Sequence, residues 1–94
     1  MAKTGAKIDR AGLLDLLNGR LDIEELHELC FRLAGQAPGL DFDNLRGEGK
    51  RAKTRELIRF MENRRHLDAL TRELKKMRPD LEDDIQSLLR LGEQ

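Results

Sequence analysis

The stretch DFDNLRGEGKRAKTRELIRFMENRRHLDAL (residues 41–70) carries the clearest structural signals of this 94-residue chain. Gly47 and Gly49 predict a turn, because glycine readily adopts the backbone conformations that interrupt regular structure. After the turn, residues 50–63 predict a strongly basic helix. Its apolar stripe is Leu57, Ile58 and Met61. A second helix is predicted over residues 67–77, and the rest of the fold is expected to pack around this pair.

Helix signals continue on both sides of the pair. Asp22-Ile23-Glu24-Glu25 has the form of a capping box, in which the first and fourth side chains bond each other's backbone N–H groups. Gly19 predicts a left-handed stop for the preceding helix, and Pro79 suits the first position of the last one. The predicted helices are residues 9–18, 22–34, 41–45, 50–63, 67–77 and 79–91, the third being short. Short connections favour a compact six-helix antiparallel bundle.

The composition favours an all-α fold. The chain has eighteen leucines and four isoleucines but no valine, tyrosine or tryptophan, so it lacks much of the material that strands prefer. Its length predicts one domain, which we assign to residues 9–91, with residues 1–8 as a disordered tail. Helical spacing places Ile23 on the apolar face of the second helix. The same spacing predicts five buried leucines: Leu26, Leu29, Leu57, Leu70 and Leu74.

Cysteine usage and the first residues predict a cytoplasmic protein. Cys30 is the single cysteine, so no internal disulfide can form. The opening MAKTGAKIDR lacks the apolar run of a signal peptide, and nowhere do enough apolar residues run together to span a bilayer. We therefore expect no membrane partner.

Charge is segregated along a chain whose formal net charge is zero. Residues 50–78 carry a net charge of +7, whereas residues 9–45 carry −5 and the last sixteen residues carry −4. Lys50, Arg51 and Lys53 lie in the first turn of their helix, where the helix dipole disfavours cations. For these three residues, a binding role and simple solvation of an outer helix face are equally good interpretations.

Two candidate interaction faces follow from this pattern. The basic face consists of Lys50, Arg51, Lys53, Arg55, Arg59, Arg64 and Arg65. The acidic face, on the second predicted helix, consists of Asp22, Glu24, Glu25 and Glu28. The basic face would complement a nucleic acid or an acidic protein surface, and the acidic face of a like domain is one such surface.

No catalytic or cofactor-binding pattern is indicated. Gly47-Glu48-Gly49-Lys50 matches a phosphate-binding loop only in part, because the first glycine and the final Ser or Thr of that motif are missing. His27 and Cys30 lie three residues apart on one helix, but with His66 they still leave a tetrahedral metal site without a fourth ligand. We expect Cys30 in the core, His27 half-exposed, and a protein that is not an enzyme and holds no cofactor or metal.

A family resemblance extends this interpretation. The runs LDIEELHELCFRL (residues 21–33) and LDFDNLRGEGKRAKTRELIRFMENRRHLDAL (residues 40–70), followed by Arg78-Pro79, resemble the bacterial effector-associated domains, also described as bacterial death-like domains. The resemblance covers residues 13–81. It implies a six-helix, death-fold-like bundle that pairs like with like and brings an effector to a sensor in a bacterial conflict system.

Two functions from different classes remain open at this point. The first is homotypic association with another death-like domain, of the same chain or of a cognate effector or sensor, with the isolated domain a monomer or a weak oligomer. The second is nucleic-acid binding by the basic helix of residues 50–65. The zero net charge and the lack of tyrosine and tryptophan for base stacking disfavour the second.

Overall fold

Five α-helices account for most of residues 8–92, the part of the chain that the computed structural model describes. They are α1 (Arg10–Arg20), α2 (Ile23–Leu33), α3 (Lys50–Asn63), α4 (Leu67–Met77) and α5 (Glu82–Gly92). Two single 3-10 turns, Phe42–Asn44 and Pro79–Leu81, precede α3 and α5. Residues 8–92 contain no β-strand, so the predicted all-α class is confirmed. None of these helices is long and apolar enough to cross a bilayer.

The predicted count of six helices is not confirmed, because the described residues contain five α-helices and the short third helix is a single 3-10 turn. Residues 41–45 form a 3-10 turn and no α-helix. The Asp41 side chain accepts hydrogen bonds from the backbone N–H of Asp43 and from the side-chain amide of Asn44. The side chain of Phe42 is buried. These hydrogen bonds and this burial together stabilise the turn. Local side-chain bonds of this kind compete with helix formation in a short segment. The last predicted helix likewise opens as a 3-10 turn at Pro79 before α5 begins.

Gly19 does not end the first helix, contrary to its predicted role. α1 continues through Arg20, and the next residue, Leu21, is extended and 1% exposed. The Leu21 N–H donates to the Leu17 carbonyl, which closes the last turn. Burial of a leucine side chain is worth about 1.5–3 kcal/mol, more than the roughly 0.5–1 kcal/mol that a helical glycine costs. The core therefore decides where this helix ends.

Replacing Gly19 by alanine should raise the free energy of unfolding by about 0.5–1 kcal/mol, since the position is helical and a Cβ there meets no atom within 4 Å. Gly47→Ala is the matched control with the opposite sign. Gly47 has a φ of +97°, and a Cβ would lie 2.7 Å from that of Ala52, so we expect a loss of about 1–3 kcal/mol. Urea denaturation measures both. A destabilised Gly19→Ala would contradict a helical Gly19.

The five predicted core leucines are all buried with 0% exposure, which confirms the helical register. Helix α1 packs on α3 and α5, and α2 packs on α4. The pairs Arg10–Glu62 and Asp15–Arg51 show that α1 and α3 run antiparallel. The predicted apolar role of Ile23 is wrong, because its side chain is 42% exposed.

The predicted disorder of residues 1–7 lies outside the described residues. Ile8, the last residue of that predicted tail, is buried in the core at 9% exposure. The N–H of Asp9 then donates to the Leu88 carbonyl at 3.1 Å. The start of α1 is thereby attached to α5.

Candidate interaction surfaces

Three arginines of the predicted basic face form a line along α3. Arg51, Arg55 and Arg59 are spaced four residues apart, so they project from successive turns on one side of the helix, and all three are exposed. We call them the arginine stripe. Arg51 pairs with Asp15 at 3.0 Å and Arg59 with Glu56 at 3.6 Å. Arg55 makes no ion pair with any residue in the range 8–89.

Two lysines of the basic face lie apart from this line. The Lys53 ammonium donates to the carbonyl oxygens of Asp43 and Leu45, at 3.1 and 2.8 Å. It therefore fastens the loop before α3 to the helix, and this contact explains its position at the helix N-terminus without any partner. Lys50 is half-buried, and its carbonyl accepts a bond from the buried Thr54 hydroxyl.

The two remaining basic-face residues close α3. The Arg64 guanidinium lies 3.7 Å from the centre of the Phe60 ring, a cation–π contact. Arg65 has a φ of +59°, the left-handed conformation that glycine normally supplies at this position. The N–H of His66 bonds the Met61 carbonyl and the N–H of Arg65 bonds the Glu62 carbonyl, so the helix ends in a Schellman motif.

Three of the four residues of the predicted acidic face are engaged by other groups of the same molecule. Asp22 and Glu25 form the predicted capping box, with bonds of 2.8 and 3.0 Å, which confirms that motif. Glu25 also accepts from Arg78 at 3.3 Å. Glu28 pairs with Arg32 one turn later on α2. Glu24 is exposed and has no ion pair within residues 8–89.

Arg78 joins three parts of the chain that are distant in sequence. Its guanidinium donates to both carboxylate oxygens of Asp80 at 3.0 Å, to the Arg20 carbonyl at 2.9 Å, and to Glu25. It therefore links the end of α1, the start of α2 and the turn before α5. The hydrogen bond from Arg78 lowers the pKa of Asp80 below its ordinary value, and the same bond raises the pKa of Arg78.

Asp80→Asn should weaken the acid sensitivity of the fold. A lowered pKa in the folded state stabilises the protein above the ordinary aspartate value of about 4, and that stabilisation is lost as the pH falls below it. The melting temperatures of wild type and Asp80→Asn should therefore differ more at pH 6 than at pH 3. Glu48→Gln, at an exposed loop residue without an ion pair in the range 8–89, is the control. An equal difference at both pH values would contradict this role of Asp80.

His27 and Cys30, two of the residues considered as metal ligands, have different environments. Cys30 is buried, and desolvation together with the nearby Asp41 carboxylate raises the pKa of its thiol to about 12. His27 is half-exposed, as predicted, and its Nε2 lies 2.9 Å from Asp43. Within the described part of the chain, no three His, Cys, Asp or Glu side chains converge to hold a metal ion.

Two features of the structure, the exposed Phe31 and the buried Glu73, were not predicted from the sequence. Phe31 is 80% exposed on the outer side of α2. Because each residue turns an α-helix by about 100°, Phe31 lies about 100° around the helix from the buried Cys30. A helical-wheel projection of the sequence would show this outward position. Glu73 is 9% exposed and lies between Arg32 at 3.7 Å and Lys76 at 3.4 Å, joining α2 to α4. No local pattern indicates that pairing.

Comparison with known proteins assigns the chain to a family. No curated protein and no solved structure gives a significant match. The family model for effector-associated domain 7 matches residues 13–79, well over half of the chain. This range includes α1 from its first buried leucine, all of α2, α3 and α4, both candidate faces and Arg78. The chain therefore belongs to the effector-associated domain 7 family.

Proposed function

We propose that this chain is a non-catalytic interaction module that binds a second effector-associated domain, either its own copy or a cognate one. In this role it couples an effector to a sensor or adaptor in a bacterial conflict system, within the cytoplasm. The death-fold-like arrangement belongs to the same proposal. Membership of the effector-associated domain family supports an accessory role beside an effector.

The observation that carries the proposal is the unneutralised charge on two different helices. Arg55 lies at the middle of the exposed arginine stripe and has no ion pair within residues 8–89. Glu24 on α2 is equally unpaired in that range, and no ion pair among those residues connects α2 to α3. Each copy therefore presents one acidic and one basic surface that do not neutralise each other, and a second copy can complement both.

The expected affinity is low for an isolated pair. Exposed ion pairs contribute only about 0–1 kcal/mol each, so several contacts or several copies are needed for stable association. The isolated domain is therefore expected to be a monomer at low concentration and a weak oligomer at high concentration. Nucleic-acid binding by the arginine stripe is the competing function that the same charge pattern allows.

The discriminating experiment compares two partners at several salt concentrations. Sedimentation equilibrium at protein concentrations up to about 1 mM measures self-association. It detects a dissociation constant of that size, which corresponds to a binding free energy of about −4 kcal/mol. Fluorescence anisotropy with a labelled DNA duplex measures nucleic-acid binding in the same buffers. We expect self-association and no duplex binding. Duplex binding that falls steeply with salt, without self-association, would replace the proposal by the nucleic-acid function.

A further inference from the structure

Phe31 differs from the other two phenylalanines in having no cover. The chain has three phenylalanines and no tyrosine or tryptophan. Phe42 is 2% exposed, and the edge of the His27 ring packs against it at a centroid distance of 5.0 Å. Phe60 is half-buried beneath the Arg64 guanidinium. Phe31 alone of the three remains exposed, at 80%.

The position of Phe31 distinguishes it from an ordinary exposed apolar residue. Isolated apolar side chains on a surface are common and need no explanation. In the described residues, however, the two exposed large hydrophobic side chains, Ile23 and Phe31, both lie on α2, two turns apart. Glu24 and Glu28 lie on the same outer side of that helix. An open groove of about 940 Å³ beside Phe31 is lined by Cys30, Leu40 and Phe42 among others.

We propose that Phe31 is the apolar anchor at which a second copy of this chain binds, and that Arg55 of that copy covers its ring. The inference rests on the proposed homotypic function and names the contact at its centre. Glu24 and Glu28 then face the neighbouring arginines of the stripe. The apolar contact supplies affinity, and the surrounding charges supply orientation.

An arginine–phenylalanine contact of the kind that we infer between copies already occurs within one chain. Arg64 covers Phe60 at 3.7 Å, which shows how this sequence shields a phenylalanine ring at its surface. A guanidinium over an aromatic ring gains more when the pair is desolvated, as at the centre of an interface. Aromatic and arginine side chains are also the residues that most often dominate binding energy. Charge complementarity between α2 and the arginine stripe identifies the occupant as a second copy.

Fluorine NMR can test the contact on the intact chain. Growth with 4-fluorophenylalanine gives three signals, one each for Phe31, Phe42 and Phe60, and Phe31→Leu assigns the first by its loss. We expect the Phe31 signal to move as the protein concentration rises to about 1 mM, while the buried Phe42 signal stays fixed. A concentration-dependent Phe60 signal with a fixed Phe31 signal would overturn the proposal. Phe31 movement only with phosphatidylcholine vesicles would assign the residue to lipid and overturn it too.

Substitutions give the second arm of the test. Phe31→Ala should weaken self-association about tenfold or more, and Phe31→Leu, which keeps apolar area but loses the ring, should fall between it and wild type. Ile23→Ala on the same helix is the control for a general apolar effect. Combining Phe31→Ala with Arg55→Ala should weaken binding less than the product of the separate effects, because both remove one contact.

The outcomes separate this inference from the proposed function. If the wild type self-associates and Arg55→Glu prevents it, but Phe31→Ala has no effect, the anchor is wrong and the homotypic function stands. If the wild type shows no association up to about 1 mM, the Phe31 anchor between copies is overturned, and the proposed function is restricted to a cognate partner. Circular dichroism should show unchanged helix content in all variants, because the three substituted side chains, Ile23, Phe31 and Arg55, are all exposed.

Discussion

Replacing Leu70 by alanine should lower the free energy of unfolding by about 2–5 kcal/mol. Leu70 is 0% exposed, and its helix α4 contacts α2, α3 and α5, so the lost side chain leaves a cavity at the centre of the fold. For a small domain with a total stability of roughly 5–15 kcal/mol, this is a large share. Urea denaturation followed by circular dichroism at 222 nm measures the change.

Leu67→Ala provides the matched control. It removes the same side chain from the same helix one turn earlier, where the residue is only half-buried and packs at the margin of the core. We expect a clearly smaller loss than for Leu70→Ala, because less apolar surface returns to water. Equal losses, or a Leu70→Ala protein as stable as wild type, would show that α4 packs in a different register.

Reversing Arg51 and Arg55 to glutamate should abolish self-association without unfolding the helices. The change sets acidic side chains against the acidic face of the next copy, and like charges brought together in an interface cost several kcal/mol. Mixing this variant with a Glu24→Arg, Glu28→Arg partner should restore part of the binding. Analytical ultracentrifugation of the single variants and of their mixture measures both effects.

Two further variants make the charge-reversal result specific. Arg51 also pairs with Asp15, so Arg55→Glu alone, at a residue without an ion pair in the range 8–89, tests the stripe with less effect on the fold. Arg72→Glu reverses an exposed charge on α4, outside the stripe, and should leave association unchanged. Normal association of the doubly reversed protein, with its helix content intact, would leave the segregated charge as surface solvation only.

The bounds of helices α3 and α4 could be predicted from the sequence. Residues 50–63 and 67–77 were predicted and observed, because glycines, a proline and three-and-four apolar spacing mark their ends and inner faces. α1 was predicted two residues short, since the burial of Leu21, a tertiary effect, extends it past Gly19. The segment at residues 41–45 has too few residues for its preference between a turn and a helix to be visible locally.

The candidate faces could be predicted as charge patterns but not as surfaces. Lys53 donates a hydrogen bond to a backbone carbonyl. Glu25 accepts one from Arg78, a residue 53 positions away in the sequence. No periodicity encodes such a contact, because it depends on how the helices pack. The exposure of Phe31, by contrast, could be predicted, because residue spacing alone places it on the outer side of α2.

The buried residues of the last helical segment extend the cooperative unit beyond the matched motif. Leu81 and Ile85 are both 0% exposed, yet they lie after residue 79, where the family match ends. A fragment trimmed to residues 13–79 would lack these side chains, each worth about 1.5–3 kcal/mol of burial, and would separate Arg78 from Asp80. Any boundary chosen for expression, fusion or transplantation of this module must therefore lie beyond α5, because the segment that identifies the family is shorter than the segment that folds.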